Sequence, residues 1–578
     1  MTSGHPVLRR NRPKPSLTGM LDLRTGSNAF ELPEIAVVAL DTFVGSLKNS
    51  KDFFKAMLNC EPAKKPVPEN RHRCDADNVA FKEGAYIDKL EIRAGEFKIS
   101  PLELTEILPQ QLLMLKTVSG AMSEMTSDTQ TEKIDWGTFI GISQDFDASN
   151  FASRWAIKAD SAKYNITETD TSELADAISP PLNHPRTVGS LGGIVASRIA
   201  REYGIGGPSH TFSSSENSGL SALEAAVRSL QNNEISTAIV GAVDIAGDVR
   251  HILATDQLRP YSRSGGSVPF NKGSDGALPG EDAVALILKR KDDALKDGDR
   301  ILSIIKGIGK ANCDSLDNKD SKINACIRAM DNAWKESGLD PAKARLFEAS
   351  ASGSNSEDEI EAEAMSRFMP VRDIRKEDLF QNDSQLCAIS ATKAVIGQTG
   401  AAAGLFSLAK AVLCLNRQLL PGYKTLTNPI EPLAKRQDFF FTPNSPQYWF
   451  RNRIEGPRVA SVNSIGLDGS FYHAVLEEFE NDELLSSKAR KANLADCCFP
   501  AGEPEDCVFA IGGTTTCDLK ERISALRNLE ASSIQQLARE YAQQFPLRDY
   551  SKVFAGIVAS SIGELREKID FAVNHIYN

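Results

Sequence analysis

The chain has 578 residues, 41% hydrophobic and 25% charged, enough for several domains or one large double domain of ordinary globular composition. Its formal net charge of −11 argues against nucleic acid as a partner, since that calls for a basic face, and no apolar run approaches the roughly 20 residues of a membrane span. Ten cysteines occur without a C-x-x-C pair, and Arg9, Arg10, Arg12 and Lys14 precede no apolar segment, so the expectation is a cytoplasmic protein with reduced thiols and no secretory signal or zinc site.

Residues 1–31 are polar and aperiodic, and read as a flexible lead-in or linker. Ile35 to Leu40 is a continuous apolar run, hence a buried strand, with a helix from Asp52 to Leu58 after it. Leu112 to Met122 is a helix, Phe139 to Ser143 a strand, and Gly192 to Ile199 begins another helix. Gly206-Gly207-Pro208 punctuates the approach to a strand, a sharp turn at Ser215-Glu216-Asn217 and a helix with Leu220, Leu223, Val227 and Leu230 on one face. Thr237 to Val243 and Asp282 to Lys289 are strands rich in β-branched or apolar residues. Ile301 to Ile308 and Leu346 to Ala349 are strands around a helix from Ser321 to Ser337. This alternation implies a mixed α/β sheet with helices on its faces. In the tail, strands at Val508 to Ile511 and Val553 to Val558 alternate with helices over Leu519–Leu529, Ser533–Gln544 and Ile562–Ile576.

The turn at Ser215-Glu216-Asn217 lies at a helix N-terminus, where outward N–H groups and the dipole favour a negative charge. The text from Gly207-Pro208-Ser209 to Ala222-Leu223 resembles the nucleophile turn of the β-ketoacyl synthases, in the thiolase superfamily. In that pattern G-P-S is followed by six residues and then the acyl-accepting cysteine, and counting from either side puts that position at Glu216. Reading Ser213 as the nucleophile needs two compensating gaps. Other landmarks follow in order: Phe97 to Pro101 for F-x-I-S-P; Pro109-Gln110-Gln111 with Leu108 in place of Asp; Pro269-Phe270, Asp275-Gly276 and Gly280-Glu281, with Asn271 and Asp282 in place of Asp and Gly. The segment at Pro109-Gln110-Gln111 packs near the dimer interface in the family, so the resemblance implies a retained partner surface.

A condensing enzyme of this family uses the cysteine with two histidines that stabilise the enolate and oxyanion. The first histidine motif is similar to Glu348 to Ser354, which puts Ser350 at the histidine. The second is similar to Lys393 to Gln398, followed by Gly400 to Gly404, which puts Gln398 there. All three reacting positions therefore differ, and no catalytic residue is expected, while Lys393, Glu348, Gly397 and Gly404 are expected as structural residues of the former site. Lys393 is expected to pair with Glu216 or Glu348, or to be satisfied by backbone carbonyls. His473 falls at a strand end that is structural in the family, and His210 on the strand before the turn is a core or surface residue.

The resemblance implies a thiolase-like duplicated αβαβα five-layer fold: an N-terminal half over 32–290, a C-terminal half over 291–478, and a small α/β linker toward an acyltransferase over 479–578. It implies a non-catalytic domain similar to a chain-length factor, in a polyunsaturated fatty acid or polyketide synthase. The partners so implied are a second ketosynthase in a homodimer or heterodimer, an acyltransferase and an acyl carrier protein. No cofactor is expected, with carrier-bound phosphopantetheine thioesters as the ligand class. Two other readings stand beside it: a scaffold that only positions the acyltransferase, and an enzyme of altered chemistry using Glu216 as base or Ser213 as nucleophile.

Overall fold

The computed structural model describes residues 32–576 apart from 69–82, 127–131, 162, 182, 246, 372–385, 452–455, 481–505, 530, 532 and 546–551. The lead-in expected over 1–31 lies outside the described residues. The first half supplies strands β1 (Ile35–Val44), β2 (Trp136–Ile142), β3 (Ser209–Phe212), β4 (Thr237–Ile245) and β5 (Glu281–Arg290). The second supplies β6 (Ser303–Asn312), β7 (Ala344–Ala349), β8 (Cys387–Ala391), the short β9 (Phe440–Phe441), β10 (Val459–Ile465) and β11 (Ser470–Glu477). These form one sheet in the order β9-β8-β7-β10-β11-β6-β1-β5-β4-β2-β3.

The duplication that internal sequence repeats do not reveal is plain in this order. With the short edge strand β9 set aside, each half arranges its five strands third, second, fourth, fifth, first, and the two first strands, β1 and β6, pair antiparallel at the centre. The directions repeat as well: β2 is parallel to β3 and β4, as β7 is to β8 and β10, whereas β5 and β11 are antiparallel to their neighbours. The near-continuous apolar runs follow from this placement, since β4 and β5 are covered on both faces.

Helix α1 (Pro109–Ser123) covers one face of the first half, and α2 (Ser218–Gln231) the other. In the second half α3 (Lys319–Ser337) covers the outer face, and the inner face takes α5 (Ala403–Arg417), which follows the single turn α4 (Lys393–Ile396). Helices α2 and α5 pack on each other between the two halves of the sheet, which yields the layering helix, half-sheet, helices, half-sheet, helix. Every residue from Ala403 to Leu415 is buried, as expected of a helix sandwiched between layers. Gly404 lets α5 pack tightly between α2 and β10: a Cβ there would lie 2.7 Å from Leu220 Cδ1 and 2.8 Å from Ser464 Oγ.

His473 lies inside the second half, fully buried beside the rings of Trp334 and Phe347. Burial alone pushes its pKa down to about 3, so it is a neutral core residue. The tail forms its own unit: β12 (Cys507–Gly513) pairs antiparallel with β13 (Val553–Ala559), and helices Thr516–Leu526, Ile534–Gln544 and Ile562–His575 enclose an apolar cluster with Phe509, Ile523 and Ile569.

Gly397 ends α4 at φ 73°, and a Cβ on it would sit 2.3 Å from the carbonyl oxygen of Leu278. Gly397→Ala is therefore expected to cost about 2–4 kcal/mol in denaturant unfolding, from left-handed backbone strain plus the clash. Gly193→Ala, where a Cβ meets nothing within 4 Å, is expected to stay within about 0.5 kcal/mol of the parent.

Candidate functional site

The second and third strands of the two halves deliver the site. β3 leads into the turn that carries Glu216 at the head of α2; β7 leads into Ser350; β8 leads through α4 to Gln398. The turns before Glu216 and after Ser350 are both strained, with Ser215 at φ 47° and Ala351 at φ 45°, conformations that residues other than glycine rarely adopt. Such strain persists only where the surroundings over-determine it, and here they do. Glu361 accepts hydrogen bonds from the N–H groups of Ser350 (2.8 Å) and Ala351 (2.7 Å), and the Ser218 hydroxyl donates to the carbonyl of Ser215 at 2.7 Å.

Glu216 is buried to 2% exposure and its carboxylate is fully engaged. Oε1 accepts from Arg259 Nη1 and from Gln398 Nε2, the latter at 2.6 Å; Oε2 accepts from the Leu467 N–H at 2.9 Å and from the Ser215 hydroxyl. Arg259, itself buried, reaches Glu357 with Nε at 2.6 Å, so one guanidinium bridges two carboxylates. Burial alone would raise the Glu216 pKa, but the charges of Arg259 and then Lys393, with the hydrogen bonds, hold it below the ordinary glutamate value. For Arg259, burial works against the charge and the two glutamates more than offset it.

The structure thus brings Glu216, Ser350 and Gln398 together. Glu216 and Gln398 are hydrogen-bonded directly, and Ser350 joins through Lys393, whose Nζ lies 3.4 Å from Ser350 Oγ. Ser213 stands apart, exposed on the strand side of the turn. The expected pairing of Lys393 is corrected. Glu348 instead holds Lys410 at 3.0 Å and the Thr392 N–H and hydroxyl at 2.6 Å each, because Lys410 is the one cation on the buried stretch of α5. Lys393 makes no ion pair with Glu216 or Glu348, though its charge acts on Glu216. His210 sits exposed on β3 near Phe139.

Asp282, which replaces a family glycine, faces Asp244 across β4 and β5, and both are buried. Asp244 accepts from the Ala401 N–H at 2.8 Å and so ties down the turn after Gln398. Burial first, then Asp244 and Glu281, push the Asp282 carboxyl far above the usual range, which makes it a neutral acid. Arg259 was not legible as a site residue: it follows a helix at Gln257-Leu258-Arg259-Pro260 without a motif, and only an unmatched buried acid at position 216 hinted that a cation must answer it. No group of three or more metal-ligating side chains occurs among the described residues, and none of their helices is long and apolar enough to cross a membrane.

The β-ketoacyl synthase N-terminal domain pattern matches residues 33–294 and the C-terminal domain pattern residues 302–426. The chain belongs to the β-ketoacyl synthase family. It is 26% identical over 539 residues to the phthioceranic/hydroxyphthioceranic acid synthase of Mycobacterium tuberculosis, covering 90% of this chain and 23% of that protein. It is 29% identical over 448 residues to a mycocerosic acid synthase-like polyketide synthase of the same species, covering 75% and 19%. This β-ketoacyl synthase homologue thus spans about a quarter or less of the length of these relatives. Among solved structures it superposes on the ketosynthase from module 6 of the Bacillus subtilis bacillaene synthase with a TM-score of 0.63 at 21% identity, covering 94% of this chain and 86% of that one. An oxazolomycin ketosynthase domain from Streptomyces albus gives 0.66 at 20%, covering 94% and 89%. These two share its fold.

Removing one partner of a buried pair strands the other charge. Arg259→Met is expected to destabilise by about 3–5 kcal/mol, and Glu216→Leu on top of it to recover much of that loss, read as a double-mutant cycle in denaturant. Because the folded pKa of Glu216 lies below its unfolded value, its contribution is fully present above the ordinary glutamate value of 4.5 and fades as pH falls through the depressed one. Glu216→Gln is therefore expected to flatten the acid limb of stability against pH in that window.

Proposed function

We propose that this chain is a non-catalytic ketosynthase-like domain, similar to a chain-length factor, of a polyunsaturated fatty acid or polyketide synthase. In this reading it pairs with an active β-ketoacyl-carrier synthase and shapes the growing acyl chain. The observation that carries it is the locked Glu216 carboxylate. A carboxylate tied to a guanidinium, an amide and a backbone N–H at the head of α2 offers no sulfur to carry an acyl thioester. With Ser350 and Gln398 at the other two positions, no imidazole stands there to polarise an enolate.

Two features support pairing. β3 is an edge strand, bonded only to β2 among the described residues, and its free side is a template for another strand. The segment 146–191 also exposes large apolar side chains, Trp155 at 67%, Tyr164 at 73% and Leu191 at 61%. The acyltransferase and carrier protein are the further partners in this reading, reached through the tail unit, and carrier-borne phosphopantetheine thioesters are the ligand class. The domain division, with a linker from 479, and a cytoplasmic location belong to the same proposal.

Mixed with a ketosynthase that keeps the Cys-His-His set, the chain is expected to give a stable heterodimer in native mass spectrometry and to alter product chain length. Alone it is expected to release no carbon dioxide from malonyl thioesters. Decarboxylation or chain elongation by the isolated chain, or its failure to alter either assembly or products, sinks the proposal. A homodimer that leaves product length untouched favours the pure scaffold instead.

A further inference from the structure

We propose that Ser350 and Lys393 form a serine–lysine dyad that accepts an acyl group from a thioester and releases it as the free acid; the domain is then non-catalytic in condensation alone, and this hydrolysis goes beyond the pairing reading. The Lys393 amine lies 3.4 Å from the Ser350 hydroxyl oxygen, and both side chains are buried. Serine–lysine pairs run acyl transfer on several unrelated folds, with the amine as base. Three further observations favour that division of roles here.

The first is the setting of the hydroxyl. The Ile465 N–H donates to Ser350 Oγ at 3.1 Å, which stabilises negative charge developing on that oxygen. The turn is fixed by Glu361 and strained at Ala351, so the nucleophile is held in one place. The second is the setting of the amine. Burial and then the neighbouring charge of Arg259 lower the Lys393 pKa, opposed by Glu216 and Glu361, and the net direction favours the neutral base. The other buried serine–lysine contact, Ser390 with Lys410, lacks this quality because Lys410 is ion-paired to Glu348 at 3.0 Å. The third is a spare donor: Arg259 Nη2 is buried and makes no hydrogen bond, so the network that binds Glu216 retains an unused N–H for a developing oxyanion.

In the step proposed, the neutral Lys393 amine takes the hydroxyl proton as Ser350 Oγ bonds to the thioester carbonyl carbon. The carbon–sulfur bond breaks with its electron pair on sulfur, and the thiolate takes the proton from the Lys393 ammonium. Water activated by the same amine then attacks the Ser350 ester, releasing the carboxylic acid and restoring the hydroxyl. No oxidant or reductant is involved and no carbon–carbon bond forms.

The test incubates the full chain with the acetyl and malonyl thioesters of N-acetylcysteamine, following free thiol and mapping acylated peptides by mass spectrometry. An ester on Ser350 is expected, with thiol release that rises with pH as Lys393 deprotonates. Ser350→Ala is expected to abolish both, Lys393→Arg to slow release about 100-fold, and the exposed Ser213→Ala to change neither. Peptide mapping on the unaltered chain decides even where a variant fails to fold. An unmodified chain, an ester on another residue, or release that survives Ser350→Ala in a folded protein overturns the dyad and leaves the pairing reading intact. Carbon dioxide or elongated product overturns the pairing reading instead.

Discussion

A carboxylate and a guanidinium, both taken out of water, govern this site. Neither charge of the Glu216–Arg259 pair is tolerable there by itself, since each alone costs several kcal/mol of desolvation. Their coexistence requires donors on both oxygens of the carboxylate and a second acid on the guanidinium. That explains the Leu467 N–H, the Ser215 hydroxyl and the Gln398 amide on Glu216, and Glu357 on the far side of Arg259. The positive end of α2 adds to the same field. The substitutions at 216 and 398 are then one arrangement: the Gln398 amide donates an N–H to a carboxylate that needs one.

The duplicated topology is what makes the arrangement possible. Parallel strands of both halves end at the same central layer, so turns that are 134 residues apart in sequence, after β3 and after β7, meet around α2 and α5 (216 and 350). The close contact of those helices at Gly404 brings the head of α5 to the Glu216 carbonyl, which accepts from the Gly404 N–H at 3.3 Å. Asp244, on β4 of the first half, ties the turn after Gln398 from the second. The site is a seam between halves rather than a property of either one.

Much of this was legible in the sequence. Many of the buried strands announced themselves by a β-branched or apolar run, as at Ile35–Leu40 and Thr237–Val243, and helices such as Ser321–Ser337 by their stride, whereas the serine-bearing strands Cys387–Ala391 and Val459–Ile465 did not. The positions Glu216, Ser350 and Gln398 could be placed by counting from glycine and proline landmarks whose steric reasons the structure supplies, as at Gly397. What stayed hidden is tertiary choice. Lys393 and Lys410 are both lysines near Glu348 in the second half, and only the stacking of α5 against β7 decides that Lys410 takes the acid. Arg259 carried no local signature because its partners lie 43 and 98 residues away.

The same interlocking constrains how the site can change. Restoring a cysteine at 216 alone would remove one of the two acids on Arg259 and leave the Gln398 amide without its acceptor, both in a dry interior. Restoring a histidine at 398 alone would place an imidazole against a charged carboxylate already bonded to Arg259. Each single step toward the family's reacting set breaks a satisfied buried contact before any new chemistry exists, whereas the present set satisfies the Glu216 carboxylate in full. Position 350 is different. Ser350 makes no hydrogen bond to Glu216 or Arg259, and its neighbours are the Lys393 amine and the Ile465 N–H. Of the three positions, Ser350 is the one whose side chain is held by the network without being consumed by it, which is why the proposed acyl chemistry is placed there.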